Sequence, residues 1–318
     1  ATLRTVEDGE GTSAGVQLST TDTSFNGNHI LKEQGRQNHV ANTMASPHYR
    51  FDGTNDYIAV PSLGLLANYS ISAFIRYESD GNYKVIYATA LTECWFGIGS
   101  SAAEGRIRWH IGGSDRIDTA DGVLSQNTWH HVVGTWDGTN GKIYIDGVEI
   151  GTTTTGTLNN TASESSSTIG SSSERSGNWW LGDIGSVSLW NIALSASEVK
   201  DLYSGGATLY KYQGANNTNL TSGALVKGKA YKIVTYNSND DFTNLGASSN
   251  ASGVTFISTG TTPTEWNHSS VLIPIGCVAE FDGTGVASDK WLDKSGNDSH
   301  GTVTGATVVN APSGDDGL

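Results

Sequence analysis

Cysteine, methionine, proline and basic residues are all scarce in this 318-residue chain. It has two cysteines, one methionine and five prolines, and its 18 Lys and Arg face 32 Asp and Glu. Cys94 and Cys277 are too few for a disulfide framework or a zinc site, so we expect both to be small buried apolar residues rather than a bridge. The net charge of −14 repels phosphate backbones and anionic lipids. Nucleic-acid and membrane-surface binding are therefore not expected.

Long hydrophobic runs are also missing. The longest apolar run, from Val271 to Ala279, is interrupted by Pro274 and is far shorter than the roughly 20 residues of a membrane helix. We therefore expect no membrane insertion. Residues 1–4 do not resemble the basic and apolar start of a signal peptide, but processing would remove such a segment, so the compartment stays open.

Glycine, in contrast, is abundant, with 40 residues, and only 16% of the chain is charged. Together with many Ser, Thr and Asn residues, this composition is typical of an all-β protein with many turns. A mass of 33.5 kDa allows one large core or two to three smaller ones.

The segment from Trp129 to Gly151 carries the densest structural information and predicts two hairpins in tandem. From Trp129 to Trp136, successive residues fall on opposite faces with a period of two, and many are aromatic or β-branched, which is typical of a strand. Asp146-Gly147 is the strongest two-residue hairpin signal, because a type I′ turn needs positive φ at both central positions. His130 and His131 are adjacent on a strand, so they point to opposite faces and cannot jointly bind a metal or act as acid and base.

Further strands and one helix are predicted on either side of these hairpins. Ser195-Ala196-Ser197-Glu198 is a capping box, and the helix that it opens ends at Gly205-Gly206. The predicted strands are 49–52, 57–60, 69–77, 85–90, 95–98, 106–111 and 179–190.

Residues 46–205 resemble a laminin-G-like, concanavalin A-like domain. The resemblance is carried by YRFDGTNDYIAVP, WHHVVGTWDGTNGKIYIDGVEIG and LGDIGSVSLWNIALSASEVKDLY, which follow the family's order and spacing. It implies an all-β fold, an antiparallel jelly-roll sandwich. The fold serves lectins, sugar-binding modules, adhesins and viral fibres, so it does not fix a function.

The remaining segments predict three further parts. Apolar residues in the segment 1–45 follow no sustained periodicity, so we expect an irregular arm for anchoring or assembly. Packing against another copy or a larger assembly would order this arm. Residues 206–276 resemble a small β module of bacteriophage tail fibres, through KAYKI and DFTNLGASSNASGVTFISTG. Residues 277–318 resemble the opening strands of another jelly roll, which either pair with the earlier modules or are completed by a neighbouring subunit.

The laminin-G-like resemblance also implies a calcium site. Jelly rolls of this family often bind one calcium ion at the rim, and hard oxygen ligands suit it, so Asp52, Asp56 and Asp183 are the candidate ligands. The alternative for Asp52 is an Asp-Gly turn. Gly185 departs from the family, which often has an acidic residue after the isoleucine of this strand.

Catalysis is not expected. Glycoside hydrolysis needs two carboxylates about 5–10 Å apart, which on such a sheet would appear as acidic residues at alternating positions, and no such run exists. The GxSxG, HExxH and phosphate-binding motifs are absent as well.

Sugar binding is a candidate function, because an aromatic ring can stack on a pyranose face. Trp179 is the best candidate, since Trp180 would face the opposite side of the strand. The alternative is that Trp179, like most tryptophans in strand patterns, belongs to the core.

Together these observations predict a non-enzymatic bacteriophage virion protein, either a fibre, a receptor-binding protein or a capsid decoration. Its expected partners are further copies in a homotrimer, other virion proteins and host-surface glycans. The alternative is a secreted bacterial lectin or carbohydrate-binding module.

Overall fold

A computed structural model of the chain describes residues 3–7, 13–19, 47–61, 68–78, 83–89, 95–99, 105–112, 115–151, 154–155, 166–205, 215–216 and 218–309. The chain divides into two compact units, residues 1–42 and 43–318. In the first unit, where the sequence predicts an irregular arm, strands β1 (Leu3–Glu7) and β2 (Ser13–Ser19) pair in antiparallel fashion.

The second unit begins with the jelly roll. Its strands are β3 (His48–Asp52), β4 (Tyr57–Pro61), β5 (Tyr69–Tyr77), β6 (Lys84–Thr89), β7 (Trp95–Ile98), β8 (Ile107–Gly112), β9 (Asp115–Asp118), β10 (His130–Trp136), β11 (Asn140–Ile145), β12 (Val148–Glu149), β13 (Thr154–Thr155), β14 (Ser166–Ile169) and β15 (Leu181–Trp190). Helix α1 (Ala196–Gly205) follows. No helix of the described residues is long and apolar enough to cross a membrane.

Two antiparallel layers form the sandwich. In one layer β11, β10, β5, β15 and β3 are neighbours in that order. In the other layer the order is β9, β8, β7, β6, β14 and β4. The expected all-β jelly-roll fold is thus confirmed.

The main core lies between the layers and is built largely from alternating residues of the strands. On β5, Ile71, Ala73 and Ile75 are at most 1% exposed and face inward. On β10, Val132 and Trp136 do the same, as their period of two predicts. Gly134 lies between them because a Cβ there would come within 2.9 Å of the indole ring of Trp109.

Helix α1 covers the outer face of the first layer with a second, smaller core. Its first turn is capped as predicted: the backbone N–H of Ser195 donates to the Glu198 carboxylate at 2.9 Å. Val199 and Leu202 then pack against Val133 and Trp190. The alternating residues of β10 therefore serve two different cores.

Residues 218–276 form a small β module with its own core. Strands β16 (Ala230–Thr235), β17 (Thr255–Ile257) and β18 (Val271–Ile275) make a three-stranded sheet in the order β17, β16, β18, and a 3₁₀ helix spans Thr243–Leu245. The DFTNLGASSN segment is structural here. Phe242 is fully buried, and Asn250 both accepts from its backbone N–H and donates to the Asp241 carboxylate, at 2.9 Å each.

The C-terminal strands return to the jelly roll. Strands β19 (Cys277–Val286), β20 (Lys290–Asp293), β21 (Gly301–Thr304) and β22 (Thr307–Val309) follow the small module. β19 pairs with β15, β21 with β4 and β22 with β3, so these strands extend both layers. The sequence leaves open whether these strands pair with earlier strands of the same chain or are completed by a neighbouring subunit. In the structure they pair with earlier strands of the same chain.

Candidate functional site

The loop between β14 and β15 positions Trp179 and Trp180 on opposite sides of the sandwich wall. The backbone N–H of Trp180 donates to the carbonyl oxygen of Gly170 at 2.8 Å, and its side chain is fully buried in the main core. Trp179, one residue earlier, is only half-buried. The structure therefore places the two tryptophans as the alternation predicts, with Trp179 at the surface.

Trp179 lies beside the ring of Tyr57, which in turn contacts a cation. Its indole ring centre is 6.3 Å from that of Tyr57, with 33° between the planes. The guanidinium carbon of Arg175 is 5.2 Å from the centre of the Tyr57 ring, within the range of a cation–π contact. We call Tyr57, Arg175 and Trp179 the Trp179 site.

Local backbone structure explains why these three side chains meet. Ile58 and Val60 face the main core, so Tyr57 faces outward from β4. In the loop, the N–H of Ser172 donates to the carbonyl of Gly177 at 3.0 Å and closes a turn that contains Arg175. Arg175 and Asn178 both adopt positive φ, at 56° and 55°, which aligns the end of the loop with the start of β15.

Two of these residues could not be identified from the sequence. Tyr57 carries a weak signal, because a period of two along β4 puts it outside the core. Arg175 carries none, since it stands in a polar loop without a regular pattern. Only Trp179 is a sequence-predicted member of the site.

Asp52 and Asp56 build the turn between β3 and β4. The N–H of Asp52 donates to the Asp56 carboxylate at 2.8 Å, and the N–H of Thr54 donates to the Asp52 carboxylate at 2.8 Å. Asp56 is 4% exposed; its burial raises the pKa, and the hydrogen bond from Asp52 partly offsets that rise. These two hydrogen bonds are those of a tight turn, the alternative to a metal site.

Asp183 lies elsewhere on the outer face of the first layer, between two arginines. Its carboxylate is 1% exposed, accepts from Arg76 Nε at 2.7 Å and lies 3.5 Å from Arg50 Nη1. Arg50 also makes a two-pronged contact with Glu78, at 2.6 and 2.7 Å. This pairing with Arg50 is the main cause that lowers the pKa of Glu78.

The three aspartates therefore do not fit one calcium site. Asp183 already has two cationic partners, whereas a calcium ligand needs its oxygens free for the ion. Among the residues that the structure describes, no group of three or more His, Cys, Asp or Glu side chains is arranged to hold a metal ion. Calcium binding at Asp52 and Asp56 alone stays a prediction.

The pairing of Glu78 and Asp183 with arginines is relevant to glycoside hydrolysis. A glycosidase needs one carboxyl that keeps its proton, and hydrogen bonds to arginine favour the ionised form instead. The lowered pKa of Glu78 therefore does not suit the role of a general acid. Absence of catalysis stays a prediction for the chain.

The two adjacent histidines lie in separate environments. His131 is 1% exposed, is hydrogen-bonded to Ser72 at 2.7 Å and stacks on Phe74. His130 Nε2 accepts from the N–H of Ser125, so its proton lies on Nδ1, which faces Asp146 at 2.8 Å. Each ring is engaged in packing or in holding a turn.

Comparison with known protein families gives a match to the central part of the chain. Residues 52–200 match the family described as the concanavalin A-like lectin/glucanases superfamily, Laminin_G_3. These residues form a laminin-G-like jelly roll. The match covers less than half of the chain and ends before the small β module. A search of curated proteins gave no match.

Solved structures with a similar arrangement are distant. They include a candidate carbohydrate-binding protein of Bacteroides ovatus (14% identity, 85% of this chain and 61% of that chain, TM-score 0.49). The heptameric SAP-like pentraxin of Limulus polyphemus is another, with 15% identity, coverage of 51% of this chain and 84% of that chain, and a TM-score of 0.39. A third is domain 4 of AbnA, an extracellular GH43 arabinanase of Geobacillus stearothermophilus, solved in complex with arabinotriose. Its identity is 20%, the match covers 48% of this chain and 75% of that chain, and the TM-score is 0.38. This chain spans 61% of the length of the first. At these identities and scores, what those proteins bind is not transferred to this chain.

Proposed function

We propose that the laminin-G-like jelly roll binds carbohydrate at the Trp179 site. The observation that carries the proposal is the pair of half-buried rings, Tyr57 and Trp179, with the Arg175 guanidinium beside them. Aromatic faces stack on the apolar face of a sugar ring, and a guanidinium donates hydrogen bonds to hydroxyl oxygens. A few polar groups around an aromatic surface are typical of small-molecule sites.

Charge supports a neutral rather than an acidic sugar. The chain carries a net charge of −14, which disfavours polyanionic ligands at long range. Asp52, exposed at the turn that precedes Tyr57 in the sequence, is one of these negative charges.

The test is glycan binding by the full chain and by Trp179→Ala, with Val148→Ala as the matched control. Val148 is 59% exposed on β12 and belongs to neither the site nor the core. The proposal predicts that Trp179→Ala loses binding while circular dichroism and the melting temperature stay unchanged. Binding by Trp179→Ala equal to that of the control would refute it.

A virion context is a second proposal, and it concerns where such a jelly roll is displayed. It rests on the resemblance of KAYKI and DFTNLGASSNASGVTFISTG, within residues 206–276, to tail-fibre modules. Light scattering tests the trimer that this context implies: a mass of three chains of 33.5 kDa would support it, and a monodisperse monomer would contradict it. A secreted lectin requires no such assembly.

A further inference from the structure

A second group of aromatic rings lies on the outer face of the layer that contains Tyr57. Trp95 on β7 and His110 on β8 are directly opposite each other, and their rings stack 4.9 Å apart with 17° between the planes. Tyr83, just before β6, meets Trp95 edge to face at 5.4 Å. We call Tyr83, Trp95, Arg108 and His110 the Trp95 cluster.

These rings face away from the core. Phe96 and Ile98 on β7, and Ile107 and Trp109 on β8, belong to the main core, so the alternating residues point outward. Trp95 and His110 are half-buried, and Tyr83 is 37% exposed. Aromatic surface thus remains in contact with solvent.

The position of Tyr83 is held by a buried arginine. Arg108 forms a two-pronged pair with Asp118, at 2.6 and 2.9 Å, and donates to the Tyr83 hydroxyl oxygen at 3.1 Å. Its guanidinium carbon is 5.4 Å from the centre of the Tyr83 ring. Because Arg108 is paired with Asp118, the cluster presents rings and a tyrosine O–H rather than a net charge.

A glycine leaves room for this arrangement. A Cβ on Gly99 would lie 2.5 Å from Cβ of Arg108 and 3.0 Å from its Nε. A side chain at this position would therefore displace Arg108, which holds both Asp118 and Tyr83.

The Trp95 cluster and the Trp179 site lie on the same layer. β4, which carries Tyr57, is separated from β7, which carries Trp95, by β14 and β6, so three strand spacings of about 4.8 Å give a lateral distance of about 14 Å. The N–H of Val85, two residues after Tyr83, donates to the carbonyl of Asn178, the residue before Trp179, at 3.0 Å. The two aromatic groups therefore flank one hydrogen bond.

We infer that the ligand is an extended neutral polysaccharide that contacts both the Trp179 site and the Trp95 cluster. This inference rests on the proposed function and adds the class of ligand to it. A single sugar covers one group of rings, whereas a chain of several sugars reaches across about 14 Å to the second. Each added aromatic contact strengthens binding of the longer chain only.

The test uses affinity electrophoresis of the full chain in gels containing β-glucan, xylan, arabinan or galactan. Oligosaccharides of two and eight sugars, prepared from a polysaccharide that retards the protein, are then titrated calorimetrically into the wild type, Trp179→Ala, Trp95→Ala and Val148→Ala. Tyr83→Ala accompanies Trp95→Ala, because Tyr83 is exposed and its truncation leaves the core intact.

The inference predicts that Trp95→Ala and Tyr83→Ala weaken binding of the eight-sugar chain by about three- to tenfold and leave the disaccharide unchanged. Trp179→Ala weakens both. If both Trp95-cluster variants bind the long chain as the wild type does, the inference is wrong and the proposed function stands. If no polysaccharide retards the wild type, both are wrong.

Discussion

Tyr49 on β3 and Trp291 on β20 contact each other edge to face, with ring centres 5.1 Å apart. Both are fully buried, and the Tyr49 hydroxyl group donates to the carbonyl of Lys290 at 2.8 Å. The C-terminal strands therefore contribute to the jelly-roll core, although the small β module separates them in the sequence from its other strands.

Trp291→Ala tests this contribution. Trp291 fills the main core beside Phe281 and donates from Nε1 to the carbonyl of Asp282 at 2.8 Å. We expect a loss of about 3–5 kcal/mol in the free energy of unfolding, the usual cost of removing a large buried aromatic side chain. Chemical denaturation measures it, with Val308→Ala, at a position that is 37% exposed, as the control. Equal stabilities of the two variants would show that the C-terminal strands are not part of the core.

Asp183→Asn separates an ion-pair role from a calcium role. The asparagine removes the negative charge between Arg76 and Arg50 and leaves Glu78 as their remaining carboxylate partner, so we expect a loss of about 1–3 kcal/mol, moderated because both arginines are partly exposed. Denaturation with and without calcium is the measurement. A loss that is the same in both conditions agrees with the ion pair; a loss seen only when calcium is present would restore Asp183 as a metal ligand.

Acid should destabilise the small β module. Burial raises the pKa of Asp240, but hydrogen bonds from Ser270 and from the backbone N–H groups of His268 and Asn267 outweigh it and lower the pKa to about 2. Because the folded pKa lies below the unfolded value of about 3.9, the carboxylate contributes stability above pH 4, which is lost as the pH falls towards 2.

Hydrogen exchange of the β16–β18 amides between pH 5 and pH 2 measures this loss, and Asp240→Asn is the comparison. The variant should be less stable at pH 5 and should change less between the two pH values. An identical pH dependence in the wild type and the variant would contradict the role of Asp240. Asp241, whose pKa is also about 2, remains to account for part of the change in both proteins.

Gly99→Ala tests the support of Tyr83. The added Cβ would lie 2.5 Å from Cβ of Arg108, so the contact between Arg108 and Tyr83 should break. The expected result is weaker binding of long oligosaccharides with unchanged disaccharide binding, as for Tyr83→Ala. Gly122→Ala is the matched control, because a Cβ there meets no atom within 4 Å, although its φ of 73° adds backbone strain. Unchanged binding of long chains by Gly99→Ala would show that Arg108 does not position the ring.

Local patterns predict much of the jelly roll, because residues that face the main core recur with a period of two along strands such as β5 and β10. The period of two around Trp136 and the Asp146-Gly147 turn suffice for the β10–β11–β12 hairpins. The pairing of β22 with β3 could not be predicted in this way, since it joins residues such as Thr307 and Arg50 that no local pattern connects.

The candidate site shows the same limit. Trp179 could be singled out because neighbouring residues of an extended strand face opposite sides, which leaves one of two tryptophans outside. Arg175 reaches Tyr57 only through the closed turn of its loop, and the contact depends on a positive φ that the sequence does not signal. Asp183 is the converse case: the laminin-G-like resemblance makes it a candidate calcium ligand, whereas its partners in the structure, Arg50 and Arg76, come from two neighbouring strands.

A crystal structure of the full chain with a neutral oligosaccharide that it binds would test carbohydrate binding at the Trp179 site. We expect a sugar ring stacked on the Trp179 indole, with hydroxyl groups within hydrogen-bond distance of Arg175. An oligosaccharide bound elsewhere on the protein, with the Trp179 site in contact with solvent alone, would contradict it.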